Sequence, residues 1–364
     1  MKDEIREHIL AILNSCWHNT VGVPDIEISG QEMKEVESFI KSNRIEGYLY
    51  RALQKGNGNA VILRCCGALY KENLRAYSKI MESIKYVAKC LKNHNDEYAL
   101  VNGSYYIPFV CKPGDRIQKD IDILVDRQKY DQIHKELIAH GFIQSIIEGE
   151  TIREAGRIEK IVAFKNNKHV IPYYKNCLND NIGDVWIDVD ISELDEEDFK
   201  KFLEKRLLPD DSEITCLDLE TNIVYACKTI YTKLKTFRYI KQKQDNVLFY
   251  FCELNQMIRD YFDCVSWEKV EQRVKKMKLE KAVYYTVSVL IELFGTSYIK
   301  PQRDALCNLT DRLNVQDIFL VNRIYDEKEH KEYVYDCSEK EYLFSMHHGQ
   351  LLREDKKDQK GKED

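Results

Sequence analysis

Two aspartates one residue apart, in the run Lys119-Asp120-Ile121-Asp122-Ile123-Leu124-Val125, are where side-chain type and spacing first imply chemistry. The run reads as a short strand. Alternate residues of a strand point to the same face, so Asp120 and Asp122 project together while Ile121 and Ile123 turn into a core. Two carboxylates side by side repel one another, and an otherwise apolar strand that carries them is expected to hold a cation there. Oxygen ligands on a rigid element suit Mg2+ (or Mn2+), which keeps waters and bridges to substrate phosphates. Ahead of this run a second apolar segment, Ala99-Leu100-Val101, leads into Asn102-Gly103-Ser104. A loop punctuated by Lys112-Pro113-Gly114-Asp115-Arg116 joins the two segments.

A strand, a Gly-Ser turn opening a helix and Asp-x-Asp on the next strand resemble the nucleotidyltransferase fold of the DNA polymerase β superfamily. The placing of Arg116, four residues ahead of Asp-Ile-Asp-Ile-Leu-Val, makes the likeness closer. Here the chain is similar to the uncharacterised bacterial nucleotidyltransferase family of that superfamily, from Ala99 to Phe142 and more loosely to Ser192.

The resemblance implies an α+β fold, a mixed sheet flanked by helices, with NTP as substrate and Mg2+ or Mn2+ as cofactor. It also implies a third carboxylate from a neighbouring strand. Val185-Trp186-Ile187-Asp188-Val189-Asp190-Ile191 alternates strictly, with Val185, Ile187, Val189 and Ile191 on one face and Trp186, Asp188 and Asp190 on the other. Asp188 sits where the family carries its acidic residue, and Asp190, where relatives often have His, is the alternative. Asp120, Asp122 and Asp188 are thus expected to be catalytic and to ligate metal. Gly103, Ser104, Arg116 and Lys119 are expected to bind nucleotide. A glycine lets the backbone approach the β- and γ-phosphates, and helix-terminal amides and the Ser104 hydroxyl can donate to them. The Arg116 guanidinium suits a phosphate or braces the aspartates, and Lys112 is a further phosphate candidate.

The elements that must position these residues follow from periodicity. Apolar residues at helical spacing predict helices over Ile5 to Trp17, Gln31 to Asn43 and Glu46 to Lys55, with a break at Gly56-Asn57-Gly58-Asn59. Leu74, Tyr77, Met81, Ile84, Ala88 and Leu91 predict a long helix packed on the sheet that begins at Tyr98. Arg127 to His140 reads as a helix with Tyr130, Ile133, Leu137 and Ile138 inward and Gly141 as its stop. Strands are expected at Phe142 to Ile147 and Lys160 to Phe164, with Asn166-Asn167 turning a hairpin into His169 to Tyr174. From Asp218 the chain returns to helix, through Leu219, Ile223, Ala226, Cys227, Ile230 and Leu234, then Val247 to Ile258, Trp267 to Phe294 and Asp317 to Tyr325. Of Lys228, Lys233, Lys235, Arg238, Lys241 and Lys243, one or two could reach a triphosphate, and most are expected on a solvated face.

This divides the chain into an N-terminal helical region (1–95), a catalytic domain (96–200), a C-terminal helical domain (201–350) and a charged tail (351–364). The tail, with nothing apolar from Arg353 onward, is expected to be disordered.

The 364 residues are 44% hydrophobic and 32% charged, the balance of a soluble globular protein. No run of eighteen apolar residues exists, and Met1-Lys2-Asp3-Glu4-Ile5-Arg6-Glu7 lacks a signal peptide's basic start, so no membrane and a cytoplasmic location are expected. Twelve scattered cysteines without Cys-x-x-Cys fit buried thiols in a reducing compartment. The net charge of -6 disfavours a broad phosphate-tracking surface, leaving nucleic acid only as a small or tRNA-type acceptor. No P-loop, Gly-x-Ser-x-Gly or His-x-x-x-His occurs, and His347-His348 falls near the tail. Two functions remain. One is a metal-dependent transferase of NMP to an unidentified acceptor, which could be a small molecule, a protein or an RNA. The other is an inactive nucleotide-binding or protein-interaction module of the same fold, to which Asn102, where relatives often have Lys, and bulky Tyr105 and Tyr106 would belong. A base-stacking role for Tyr105, Tyr106, Tyr173 and Tyr174 is weighed against a place in the core.

Overall fold

The computed structural model describes residues 2–17, 23, 26–55, 59–167, 170–178, 182–236, 239–240, 247–295, 298–315, 323–326, 331–335 and 352–354. The chain opens with four helices, α1 (Asp3–Ser15), α2 (Gly30–Asn43), α3 (Glu46–Gln54) and the long α4 (Ala60–Cys90). The strand-rich middle runs β1 (Tyr98–Leu100), α5 (Asn102–Phe109), β2 (Ile121–Val125), α6 (Tyr130–Ala139), β3 (Ile143–Glu148), β4 (Thr151–Glu154), α7 (Arg157–Asn167), β5 (Tyr173–Cys177), β6 (Gly183–Ile191), α8 (Glu196–Lys201), β7 (Leu203–Leu207) and β8 (Glu213–Leu217). Helices α9 (Leu219–Lys235), α10 (Leu248–Asp260), α11 (Trp267–Met277), α12 (Glu280–Phe294) and α13 (Lys300–Leu313) follow, then β9 (Arg323–Asp326), β10 (Lys331–Tyr335) and β11 (Leu352–Glu354). Two compact units result. One is Lys71–Asn222, and the other joins Met1–Tyr70 to Ile223–Asp364.

The Lys71–Asn222 unit is α+β, as expected, and is built on an eight-stranded mixed sheet in the order β4-β3-β5-β6-β2-β1-β8-β7. β2 lies parallel to β6 and β1 parallel to β8, while the other pairs are antiparallel. The central position of β2 explains its composition. Ile121, Ile123, Leu124 and Val125 are all buried, and Asp122 is its one polar residue. β6 likewise buries Val185, Ile187 and Val189 and turns Trp186, Asp188 and Asp190 to the opposite face. Because β6 runs between β5 and β2, its acids are not those of a solvated edge strand. Gly141, at φ +83°, takes the left-handed position that ends α6, and from α4 the unit buries Ile80, Ile84, Val87 and Ala88.

The second unit is helical, with α12 packing on α10 and α13 and α1 on α3. Side chains tie its two chain segments together. Asn14 donates to the Leu293 carbonyl, the Leu248 amide donates to Asn43 Oδ1, and Trp17 meets Phe294 edge to face. A small antiparallel sheet, β11-β10-β9, belongs to the same unit.

Several elements differ from expectation. Lys160 to Phe164 is part of helix α7, not a strand: its β-branched residues favour a strand, but Ile158, Ile161 and Val162 keep helical spacing, and β3 is already paired on both sides by β4 and β5. Asn166-Asn167 therefore lies in a helix rather than a hairpin turn; of the strand expected over His169 to Tyr174, His169 lies outside the described residues and β5 begins at Tyr173. Leu74 and Ile138 are exposed, at the margins of stripes that otherwise face inward. β7 and β8 extend the sheet beyond β1 although Leu203-Glu204-Lys205-Arg206-Leu207 is highly charged, because β7 is an edge strand open on one side. Of the helix expected over Asp317 to Tyr325, residues 317–322 lie outside the described residues, and Arg323 opens strand β9. In the tail, Arg353 and Glu354 pair with β10 through their backbones, which needs no apolar side chain, and 355–364 lie outside the described residues. Gly56 to Gly58, Arg238, Lys241, Lys243 and His347-His348 lie outside them too. Among the described residues no helix is long and apolar enough to cross a membrane.

Candidate active site

The site is assembled by register. Asp122 on β2 stands directly beside Asp188 on β6, and Leu124 stands beside Asp190. Asp120 precedes β2 by one residue and keeps its alternation, so three carboxylates share one face of the sheet. One oxygen from each of Asp120, Asp122 and Asp188 lies within 4.8 Å of the others. Asp190, two residues on, is not one of that group.

Electrostatics mark this cluster as incomplete by itself. Burial, then the charges of Asp120 and Asp188, raise the Asp122 carboxyl well above its ordinary value, and Arg116 opposes the rise. Asp188 is pushed up to about 6, by desolvation first and then by Asp120 and Asp190. Three oxygen donors this close, two of them resisting ionisation, are the donor set and charge a hard divalent cation neutralises. The residues present therefore fit such an ion.

The Gly-Ser turn lies against the same strand. Ser104, fully buried, accepts a 2.7 Å hydrogen bond from the Asp122 amide through Oγ, which joins the start of α5 to β2. Asn102 begins α5 at φ +49°, a conformation asparagine tolerates better than most residues. The loop between α5 and β2 is folded back on itself: the Lys112 amide donates to Asp115 Oδ2 at 2.9 Å, and Asn73 of α4 donates to the Gly114 carbonyl at 3.3 Å. Gly114 sits at φ +91°, as this turn requires. Lys112 and Lys119 are exposed at this loop.

One residue at the centre was not singled out by the sequence reading. Gln118 donates from Nε2 to Asp120 Oδ1 at 2.9 Å and to Asp122 Oδ2 at 3.1 Å, while its Oε1 accepts from Arg116 Nη2. A signal for it exists in the sequence. Arg116, Gln118, Asp120 and Asp122 alternate at every second position, so extended backbone brings all four to one side.

Tyr105 and Tyr106 are buried, and the Tyr105 hydroxyl accepts from Arg206 at 2.8 Å. Tyr173 is buried against His134 and Tyr130. These three rings serve the core. Tyr174 instead packs on Trp186, 4.8 Å between centroids and both half-buried, beside Asp188. In the helical unit, Lys228 lies over Tyr225, Lys233 over Tyr250 and Lys235 over Tyr231.

An uncharacterised nucleotidyltransferase family matches residues 29–295, well over half of the chain. The chain belongs to this family. Family membership brings transferase activity in general, and the acidic trio is where this nucleotidyltransferase can bind a metal ion. No curated protein matches the chain.

Proposed function

We propose that the protein is a Mg2+- or Mn2+-dependent nucleotidyltransferase that moves NMP from an NTP to a hydroxyl or phosphate of an acceptor, a small molecule, a protein side chain or an RNA end, and releases pyrophosphate. The observation that carries this reading is the convergence of Asp120, Asp122 and Asp188 within 4.8 Å in a chain of this family. A divalent pair held by the three carboxylates supplies charge neutralisation and nucleophile activation for in-line displacement at the α-phosphate. The chain's own residues do the rest. An acceptor oxygen bonds to the α-phosphorus and the bond to the pyrophosphate oxygen breaks; where the acceptor is a hydroxyl, Asp188 takes its proton, and a phosphate acceptor attacks as the oxyanion. Gly103 brings the backbone close to the β- and γ-phosphates, with the Ser104 hydroxyl hydrogen, Arg116 and Lys119 as further donors. Asp190 is assigned no metal contact. Scattered thiols and net acidity suit a cytoplasmic enzyme with a small or tRNA-type acceptor.

The test is purified protein with each NTP and Mg2+ or Mn2+, following NTP binding and pyrophosphate release across the acceptor classes. Absence of both overturns the reading. A second reading, a nucleotide-binding or partner-binding module without catalysis, is favoured by Asn102 in place of lysine. Calorimetry on the Asp120→Asn, Asp122→Asn double variant separates them: loss of metal-assisted NTP binding supports the enzyme, and unchanged partner binding supports the module.

A further inference from the structure

Gln118 occupies the place where, under the proposed function, both cation and phosphate must come. Its amide nitrogen donates to Asp120 Oδ1 and Asp122 Oδ2, on two of the three carboxylates grouped for a metal ion, and also to the Asp120 carbonyl at 2.9 Å. The same amide lies over the Gly-Ser turn, because a Cβ at position 103 would stand 2.2 Å from Gln118 Oε1 and 2.5 Å from Nε2. Glycine at 103 is what leaves it room. Behind it, Arg116 donates to Oε1, so the guanidinium polarises the amide and, through it, offers partial positive charge to the carboxylates. Gln118 is 9% exposed, so water replaces little of this.

We propose that Gln118 is a positioning residue that stands in for the divalent cation: it holds Asp120 and Asp122 in register, competes with metal for their oxygens, and passes Arg116 to the triphosphate when it leaves. The inference rests on the nucleotidyltransferase reading. Three consequences follow from the geometry. Metal alone must break two charge-assisted hydrogen bonds to enter. A phosphate approaching Gly103 displaces the same amide, so nucleotide clears the way for metal. Arg116, once it loses Oε1, has a donor to offer the incoming phosphate.

The experiment measures Mn2+ affinity by electron paramagnetic resonance for wild type, Gln118→Ala and Gln118→Met, first with Mn2+ alone, then by calorimetry with Mn2+ and each α,β-methylene nucleoside triphosphate. Methionine keeps the side chain's length and loses its donors, so it reports on the amide even if alanine at this site fails to fold. Expected is Mn2+ binding about a hundredfold tighter in either variant without nucleotide, the worth of the two charge-assisted hydrogen bonds at about tenfold each. The gain in Mn2+ affinity on adding nucleotide should shrink correspondingly. A merely structural role would not move that difference. Unchanged or weaker Mn2+ binding in the folded variants, with wild type binding normally, overturns the role of Gln118 and leaves the enzyme reading standing. Absence of Mn2+ binding in wild type and variants alike overturns both.

Discussion

At the scale of single residues, charge crowding decides behaviour. Asp122 is held among Asp120 and Asp188 with burial against it, so Asp122→Asn relieves repulsion in the metal-free protein while removing a ligand. The expected outcome is an equal or higher melting temperature in chelator together with nucleotidyl transfer reduced at least about a hundredfold, checked by calorimetric melts and pyrophosphate release. Asp188 gives the pH dependence. Its ordinary value is 3.8 and its folded value about 6, so between these the folded protein holds a proton that the unfolded chain has released. Stability owed to this group therefore falls as pH rises through that window. Asp188→Asn removes the titration, and its melting temperature relative to wild type should climb from pH 4 to pH 7 in chelator; a difference that stays flat contradicts the assignment. The same substitution should abolish transfer, whereas Asp190→Asn, paired in register with Leu124 rather than Asp122, should keep most of it.

At the scale of elements, two turns separate structure from function. Asn73 anchors the Arg116 loop through the Gly114 carbonyl from within α4, and both groups are buried. Asn73→Ala should cost about 1 kcal/mol and also raise KM for NTP, since the loop carrying Arg116 loosens. Gly141 closes α6 far along the chain from that loop, and a Cβ there meets Lys175 Cε only at an ordinary 3.7 Å. Its φ of +83° alone sets the price, so Gly141→Ala should cost about 1 kcal/mol with NTP affinity unchanged. Denaturant unfolding and steady-state kinetics on both variants read the contrast. Legibility at this scale tracked periodicity. β6 is readable because its alternation is strict and β2 because Asp120 and Asp122 alternate with Ile121 and Ile123, while α7 reads as a strand because Ile161, Val162 and Phe164 carry strand-forming side chains. β7 escaped because an edge strand with charged residues has no apolar period to read.

At the scale of the whole molecule, the acidic trio lies within the Lys71–Asn222 unit, so metal bound there stabilises that unit by mass action. Saturating Mn2+ at about a hundred times its dissociation constant should add about 2.7 kcal/mol, seen as a raised melting temperature that chelator reverses. The Asp120→Asn, Asp122→Asn double variant should lose that response. The other unit draws on both ends of the chain, through contacts such as Asn14 to Leu293 and Asn43 to Leu248, pairs more than two hundred residues apart that no local pattern announces.

By itself the sequence determined the chemistry available: a Gly-Ser turn, an arginine and paired aspartates on a strand, with a further acidic strand after them. Alternation is a local property of the backbone, so it sorted Asp120 and Asp122 from Ile121 and Ile123 without any partner. Only tertiary structure decided which acid of β6 completes the group, because strand register, which sets Asp188 rather than Asp190 beside Asp122, is fixed by packing across the sheet. It alone also placed Gln118, since a side chain's partner depends on what the rest of the fold sets within its reach.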